Sequence, residues 1–163
     1  MQTLLLVRHA IAEERGSAWP DDDVRPLTKR GRSRMREIAD RLQAMRETSD
    51  VIVSSPLTRA LDTARILREQ WQTEADVELI NALAPGHTPA ETIVAVAKAA
   101  SDERIVLVGH EPHLGELAAW LIGAKQLVPF RKGGVARIDV ETLSRPREGQ
   151  LIWLATPKML RNS

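Results

Sequence analysis

Several kinds of residue and segment are missing from this sequence. It contains no cysteine, which excludes disulfide bonds and thiolate metal sites and weakens the case for a secreted protein. No apolar run reaches membrane length, and no basic region followed by a long apolar core opens the chain. We therefore expect no signal peptide, no membrane association and a cytoplasmic location. The formal net charge is only +1, which argues against a dedicated nucleic-acid-binding protein.

The residues that are present fit an ordinary globular α/β protein. The 163 residues are 43% hydrophobic and 28% charged, a balance that allows a full core to be buried. No internal repeat or low-complexity tract interrupts the chain. We therefore expect a single domain over residues 1–163.

Polar side chains follow three short aliphatic runs, which lie at 3–7, 51–53 and 104–109. Each run is too short for a helix and is typical of a strand buried on both faces of a parallel sheet. Arg8 and His9 follow the first run, Arg59 lies soon after the second, and His110 follows the third. Ligands of open α/β sheets bind beyond the carboxyl ends of such strands. The pattern therefore predicts that these four side chains lie at one edge of a sheet.

Helical patterns alternate with these strands. Thr28 is predicted to cap a first helix whose apolar face comprises Met35, Ile38, Ala39, Leu42 and Met45. Ser55 is predicted to be the N-cap of a second helix, with Pro56 at its first position. The apolar face of that helix comprises Leu57, Leu61, Ala64 and Leu67. Arg59 is expected in its opening turn.

The rest of the chain continues the alternation. Segment 88–91 is predicted to be a capping box that opens a third helix to about residue 100, and Pro112 is predicted to open a fourth that ends near Gly123. Two antiparallel strands are expected at about 135–140 and 151–155, a short strand near 77–80, and a long polar loop at 10–27. The predicted fold class is α/β: three α/β/α layers, with a mostly parallel central sheet and a mixed edge.

Four motifs resemble those of the histidine phosphatase superfamily, also called the phosphoglycerate mutase-like fold, and above all its SixA-type phosphohistidine phosphatase branch. Arg8-His9-Ala10 resembles the family's Arg-His-Gly, with alanine in third place. Segment 54–60 resembles its Ser-Pro-x-x-Arg-Ala element, and Gly109-His110 its late Gly-His pair. Arg25-Pro26-Leu27-Thr28, with Gly31 following, resembles an element of the SixA branch. The resemblance spans the chain from Met1 to the region of Trp153 and Pro157. It implies a phosphoglycerate mutase-like fold without a lid domain.

The chemistry of phosphoryl transfer explains why these residue types would be needed. A phosphoryl group in transfer spreads negative charge over its oxygens, so catalysis depends on positioning and on fixed positive charge. Arg8 and Arg59 present planar forks that stay charged and can bind these oxygens. A neutral imidazole can attack phosphorus, carry the group as phosphohistidine and pass it to water, and nearby guanidiniums favour the neutral ring. The resemblance assigns this nucleophilic role to His9 and a hydrogen-bond donor role to His110.

Each of these residues also has a structural interpretation when it is taken alone. A histidine at the end of a strand is often held by structural hydrogen bonds, and Arg59 on an amphipathic helix would ordinarily be a solvated surface residue. Arg25 is a further phosphate-binding candidate, and its alternative role is to tie its loop down. The functional interpretation therefore depends on the set rather than on any single residue.

One departure from the superfamily pattern bears on the substrate. Mutases and many phosphomonoesterases of this superfamily use a carboxylate as the acid for the leaving oxygen, usually in the segment after the third strand. Here that segment, 81–87, contains no Asp or Glu. A positioned acid contributes roughly 10²–10⁴ in rate, whereas an imidazole leaving group protonates near neutrality and needs less help. The missing carboxylate favours a phosphoramidate substrate. A loop could still bring another acid close to the leaving group, namely Glu13, Glu14, Asp22, Glu111 or His87.

The sequence as a whole predicts a phosphohistidine phosphatase that acts on a phosphotransfer or phosphocarrier protein through a covalent phosphohistidine intermediate. We expect no cofactor and no metal. His110 and His113 resemble half of a metal site, but Pro112 prevents a helix from aligning both rings, and no carboxylate cluster completes the ligand set. Two alternatives stay open: a small-molecule phosphomonoesterase or mutase of the same fold, and a non-catalytic phosphate-binding adaptor.

Overall fold

A computed structural model of the chain describes residues 1–145 and 147–161. Its strands are β1 (Gln2–Arg8), β2 (Val51–Ser54), β3 (Glu78–Leu79), β4 (Arg104–Gly109), β5 (Val135–Val140) and β6 (Gln150–Ala155). Its helices are α1 (Lys29–Ala44), α2 (Thr58–Trp71), α3 (Pro89–Ala99), α4 (His113–Ile122) and α5 (Pro157–Arg161). The strands form one sheet in the order β3-β2-β4-β1-β5-β6. The first four of these neighbours run parallel, and β5 and β6 add an antiparallel edge.

Helices cover both faces of the sheet. Along β1, Leu5 and Val7 face the core beneath α1, α2 and α5, whereas Leu4 and Leu6 face the core beneath α3 and α4. Alternate residues of a strand point to opposite faces, so a strand covered on both sides must be apolar throughout. The predicted three-layer α/β/α fold with a mixed edge is therefore confirmed.

The register of the parallel strands brings their carboxyl ends together. Arg8 of β1 lies beside Gly109 of β4, and Ser54 of β2 lies beside Val108 of β4. The residues that follow these pairs therefore leave the sheet at the same edge, which we call the carboxyl rim. This is the end of the sheet where ligands of α/β proteins bind.

Local sequence signals set most of the helix boundaries. The Thr28 hydroxyl accepts a hydrogen bond from the Gly31 N–H at 2.8 Å and caps α1. Thr88 and Glu91 form the predicted capping box at the start of α3, with proline at its first position. Gly123 ends α4 in the left-handed conformation, with φ of 72°, which costs glycine no steric penalty. These predictions are confirmed.

The predicted start of the second helix is wrong by two residues. α2 begins at Thr58 and its N-cap is Leu57, which has no side-chain capping bond. Ser55 is not the cap because its backbone N–H donates to the Val108 carbonyl at 3.0 Å, which keeps the residue beside β4. Its hydroxyl instead lies 2.7 Å from Nε2 of His110. Arg59 is nonetheless in the opening turn, as predicted.

Three smaller differences concern segment ends and the long loop. Met45 was placed on the apolar face of the first helix, but α1 ends at Ala44 and Met45 is 38% exposed. The loop at 10–27 contains a 3-10 turn, Asp22–Val24, and an isolated bridge between Ala12 and Leu27. The short α5 was not predicted.

Among the described residues, no helix has both the length and the apolar character that a membrane crossing requires.

Candidate active site

The carboxyl rim carries a cavity of about 560 Å³. All five residues predicted for the site line it, namely Arg8, His9, Arg25, Arg59 and His110. They come from the end of β1, the polar loop, the first turn of α2 and the end of β4. The rest of the wall includes Glu13, Glu14, Pro85, Glu111 and Lys132. The topology thus assembles side chains that are far apart in sequence.

His9 is held with one ring nitrogen free. Only 5% of the residue is exposed, and its Nδ1 lies 2.7 Å from the carbonyl oxygen of Ala10. A carbonyl can only accept, so Nδ1 carries the proton and Nε2 keeps its lone pair. Burial is the main cause that lowers the pKa of His9 to about 3; the Ala10 bond opposes it, and the charges of Arg59 and Arg8 add to it. The ring is therefore neutral near pH 7 and can act as a nucleophile.

The backbone of His9 is fixed from two sides. Its N–H donates to the Gly109 carbonyl at 3.0 Å, which joins the ends of β1 and β4. The next N–H, of Ala10, donates to the Thr63 hydroxyl at 3.0 Å. That hydroxyl in turn donates to the Arg59 carbonyl at 2.8 Å. The segment that carries His9 is thus tied directly to the helix turn that carries Arg59.

Both guanidiniums are anchored by their outer nitrogens. Arg8 Nη1 donates to the Phe130 carbonyl at 2.8 Å. Arg59 Nη1 donates to the Asp22 carbonyl at 2.9 Å, and its Nη2 lies 3.2 Å from the Asp22 carboxylate. Anchoring of this kind fixes the plane of each fork before an anion arrives, so less side-chain entropy is lost on binding.

His110 faces His9 across the cavity. The two ring centroids are 5.3 Å apart with an interplanar angle of 52°. Burial lowers the pKa of His110 to about 3, with smaller contributions from His9 and Arg59. Its Nε2 is 2.7 Å from the Ser55 hydroxyl. Its Nδ1 is buried and has no partner in the described part of the chain.

Unpartnered buried nitrogens are concentrated in this cavity. The described residues contain five buried side-chain nitrogens without a hydrogen-bond partner, and three of them are Arg8 Nε, Arg59 Nε and His110 Nδ1. A buried donor without a partner costs about 1–3 kcal/mol, so such groups indicate a ligand that pairs with them. The three nitrogens belong to residues that line the same cavity as the neutral ring of His9, and this combination suits a small oxyanion with several acceptor oxygens.

The position of Arg25 is compatible with both roles considered for it. It lines the cavity, and it also ties the polar loop together. Its Nη1 donates to the Glu13 carbonyl at 2.7 Å, and its Nε donates to the Asp22 carboxylate at 2.8 Å. The hydrogen bond from Arg25, with the charges of Arg59 and Arg15, holds the pKa of Asp22 below its usual value. Asp22 is therefore ionised and is poorly suited to donate a proton.

The other candidate acids divide into two groups. Glu13, Glu14 and Glu111 line the cavity, whereas segment 81–87 contributes only Pro85. Burial raises the pKa of Glu111, but its two oxygens already accept from the N–H groups of Gly115, at 2.6 Å, and Phe130, at 3.3 Å. His87 is not among the lining residues and lies 3.7 Å from Glu91 on the surface.

Metal binding finds no support in the described residues. None of their His, Asp and Glu side chains form a group of three or more that could hold an ion. His113 Nε2 lies 2.8 Å from the Thr92 hydroxyl, and His113 does not line the cavity that contains His110.

Three residues of the site were not singled out from the sequence. Ser55 contacts His110, Thr63 links Ala10 to α2, and Lys132 lines the cavity. Ser55 lies inside a motif that was identified in the sequence, but its position there suggested the N-cap of a helix and not a hydrogen-bond partner of a histidine. Nothing local marks Thr63 or Lys132, because Thr63 acts through its bond to Ala10 and Lys132 through its charge near His9, each more than fifty residues away in sequence.

Comparisons with known proteins agree with this architecture. The sequence model of the histidine phosphatase superfamily (branch 1) matches residues 4–84. An uncharacterised protein of Picosynechococcus sp. is 34% identical over an alignment of 168 positions, which covers 96% of this chain and 98% of that protein.

Solved structures show the same fold. The protein histidine phosphatase SixA, complexed with tungstate, superposes with a TM-score of 0.81 at 21% identity, covering 96% of this chain and 98% of that one. A mycobacterial glucosyl-3-phosphoglycerate phosphatase with inorganic phosphate gives 0.72 at 19% identity, covering 97% and 99%. A phosphoserine phosphatase from Entamoeba histolytica gives 0.71 at 19% identity, covering 98% and 100%. The fold is thus that of SixA and of phosphoglycerate mutase-like proteins, with no lid domain among the described residues.

The matched family segment contains the Arg8-His9 pair, Arg25 and Arg59. The chain belongs to the histidine phosphatase superfamily, as its motifs predicted, and the prediction of a phosphatase is confirmed.

Proposed function

We propose that this protein is a phosphohistidine phosphatase that removes the phosphoryl group from a histidine of a phosphotransfer or phosphocarrier protein. The observation that carries the proposal is that a neutral His9 with a free Nε2 shares its cavity with three residues that each have a buried, unpartnered nitrogen: Arg8 Nε, Arg59 Nε and His110 Nδ1. A phosphoryl group bound there would present its phosphorus to the nucleophile and its oxygens to the donors.

The reaction has two displacement steps. In the first, the lone pair of His9 Nε2 forms a bond to phosphorus while the bond from phosphorus to the substrate nitrogen breaks. The substrate imidazole, protonated on its other nitrogen, leaves as a neutral ring. In the second, a water oxygen attacks phosphorus and the bond to His9 breaks, which releases inorganic phosphate. The proton lost by the water passes to a phosphate oxygen or to solvent, and His9 returns to its neutral form.

The walls of the cavity support a phosphoramidate substrate. Segment 81–87 brings only Pro85 to the cavity, and Asp22 is held ionised by its arginine partners. Without a positioned acid, a poor alkoxide leaving group would lose roughly 10²–10⁴ in rate. An imidazole that carries its own proton does not need that acid. The fold likeness to SixA, described as a protein histidine phosphatase, points the same way.

A second candidate is a small-molecule phosphomonoesterase or mutase. Glu13, Glu14 and Glu111 all line the cavity, so a carboxylate is within the same pocket as the nucleophile. Two structures with this fold are phosphatases of a phosphorylated sugar acid and of phosphoserine. Burial raises the pKa of Glu111, but both of its oxygens accept backbone N–H bonds. A proton on either oxygen would compete with one of these bonds, which makes this candidate the weaker one.

A substrate comparison separates these functions. The purified protein is incubated with phosphohistidine, phosphoserine and phosphoaspartate proteins and with sugar phosphates, and the released phosphate is measured, with His9→Gln as the inactive control. We expect turnover of the phosphohistidine protein with a kcat/KM at least about 10²-fold above the phosphomonoesters, the minimum contribution of a missing acid. Equal efficiency on sugar phosphates would favour the second candidate. Phosphate binding without turnover of any substrate would indicate an adaptor.

A further inference from the structure

Ser55 is held in a fixed position beside the cavity. It is fully buried, with 0% exposure, and follows the last residue of β2. Its N–H donates to the Val108 carbonyl at 3.0 Å, which fastens it to β4 two residues before His110. Its hydroxyl oxygen accepts a hydrogen bond from the Leu57 N–H at 3.2 Å and lies 2.7 Å from His110 Nε2.

A count of protons decides the direction of the bond to His110. A serine hydroxyl has one proton to donate and two lone pairs that can accept. The Leu57 N–H occupies one lone pair. In the described part of the chain, His110 Nε2 is the remaining partner of the Ser55 hydroxyl, so the hydroxyl proton either goes to that nitrogen or stays unpaired in a fully buried position. Donation to Nε2 leaves one buried group unpaired, the Nδ1–H of His110, whereas the opposite direction leaves two, the hydroxyl proton and the Nδ1 lone pair. Because each unpaired buried donor or acceptor destabilises the fold, donation to Nε2 is favoured.

The same count fixes the proton on the other ring nitrogen. Nε2 can accept from Ser55 only if it carries a lone pair, and burial keeps His110 neutral because its pKa is lowered to about 3. A neutral ring has one N–H, so the proton must be on Nδ1. Nδ1 is the atom of His110 that is buried without a partner. In the opposite tautomer Nδ1 would carry a lone pair, which would repel an anion oxygen placed against it.

We propose that Ser55 is a positioning residue that sets the tautomer of His110, so that Nδ1–H is the donor offered to the phosphoryl group. The last step, donation to a phosphoryl oxygen, rests on the proposed function, whereas the tautomer does not. Ser55 does not touch the reacting atoms. It acts in the same sense as the partners that orient a catalytic or metal-bound histidine by bonding its second nitrogen.

Nitrogen NMR of the resting enzyme tests the tautomer directly. In protein labelled with ¹⁵N-histidine near neutral pH, long-range ¹H–¹⁵N correlations distinguish the protonated ring nitrogen from the bare one, and His110→Gln identifies the resonance. We expect His110 to be protonated on Nδ1 and bare on Nε2. A wild-type ring protonated on Nε2 would overturn the proposal, whether or not the protein proves to be a phosphatase.

Kinetics on variants tests the consequence. Ser55→Ala removes the hydroxyl that donates to His110, so nothing then selects one tautomer, and we expect both forms of His110 in the NMR spectrum. We also expect kcat to fall by about 10- to 100-fold, the loss typical when an orienting partner of a histidine is removed. The matched control is Ser54→Ala, which deletes the same hydroxyl from a neighbouring buried serine that donates to the Ser55 carbonyl at 2.9 Å. We expect the control to keep the wild-type tautomer and most of its kcat. Equal effects of the two variants on both readouts would refute the role of Ser55.

Discussion

Acidification of the solution should destabilise the folded protein through its two cavity histidines. The pKa of each ring falls from 6.5 in the unfolded chain to about 3 in the folded one, chiefly because of burial. Between these values the unfolded state binds more protons, so stability is fully present above pH 6.5 and is lost as the pH falls through this window. When the pH falls from about 7.5 to about 5.5, His9 and His110 should each lower the free energy of unfolding by about 1.4 kcal/mol.

Among the other titrating groups, His113 acts in the same direction, because burial lowers its pKa, whereas the carboxyl groups have a small or opposite effect over this interval. Asp22 and Asp139 have pKa values below 3.8, because hydrogen bonds from Arg25 and Arg137 stabilise their carboxylates. Their contribution is lost only at lower pH. Burial raises the pKa of Glu111 above 4.5, so the contribution of this group to folding stability increases as the pH falls. A comparison of variants with the wild type removes these common contributions.

Urea unfolding at both pH values measures the effect. We expect the loss of unfolding free energy on acidification to be about 1.4 kcal/mol smaller in His9→Gln than in the wild type, because one of the two depressed titrations is gone. His87→Gln is the control, since that side chain is 38% exposed and outside the cavity. An identical pH dependence in the wild type and His9→Gln would refute the claim that burial holds the nucleophile neutral.

Three further predictions concern single contacts. Gly31→Ala would place a Cβ against the Ile11 carbonyl oxygen, so we expect the free energy of unfolding to fall by about 1–3 kcal/mol. An unchanged midpoint of urea unfolding would contradict this. Arg59→Lys should reduce kcat/KM by about 10²–10³-fold, because a lysine offers no fork with which to hold its anchor and an anion together. Steady-state kinetics on a phosphohistidine protein that show less than a tenfold loss would exclude this role. Thr88→Ala removes the hydroxyl bonded to the Glu91 N–H and should cost about 1 kcal/mol in thermal or urea unfolding, without loss of kcat; full stability would show that the cap contributes nothing.

Features with a local cause could be predicted from the sequence. The aliphatic runs predicted β1, β2 and β4, because a strand covered on both faces must be apolar throughout. The Thr88 capping box and Gly123 predicted helix ends, because the backbone groups that they satisfy lie within one turn. The common edge for Arg8 and His110 followed from the rule that parallel strands present their carboxyl ends together.

Features with a distant cause could not be predicted. The start of α2 was misplaced because Ser55 is held by Val108 of β4 and by His110, which follows that strand. The ordering of the polar loop depends on the bonds of Asp22 to Arg59, 37 positions along the chain. Which candidate carboxylates line the cavity also depends on how the loops pack, and spacing in the sequence carries no information about that.

The central claim is that His9 accepts the phosphoryl group, and rapid quenching tests it most directly. The enzyme is mixed with a radiolabelled phosphohistidine protein, stopped in denaturant within a single turnover, and digested to locate the label. We expect an acid-labile, alkali-stable phosphoenzyme on the peptide that contains His9, and none in His9→Gln. Label on His110 or on a carboxylate, or full turnover by His9→Gln, would contradict the account.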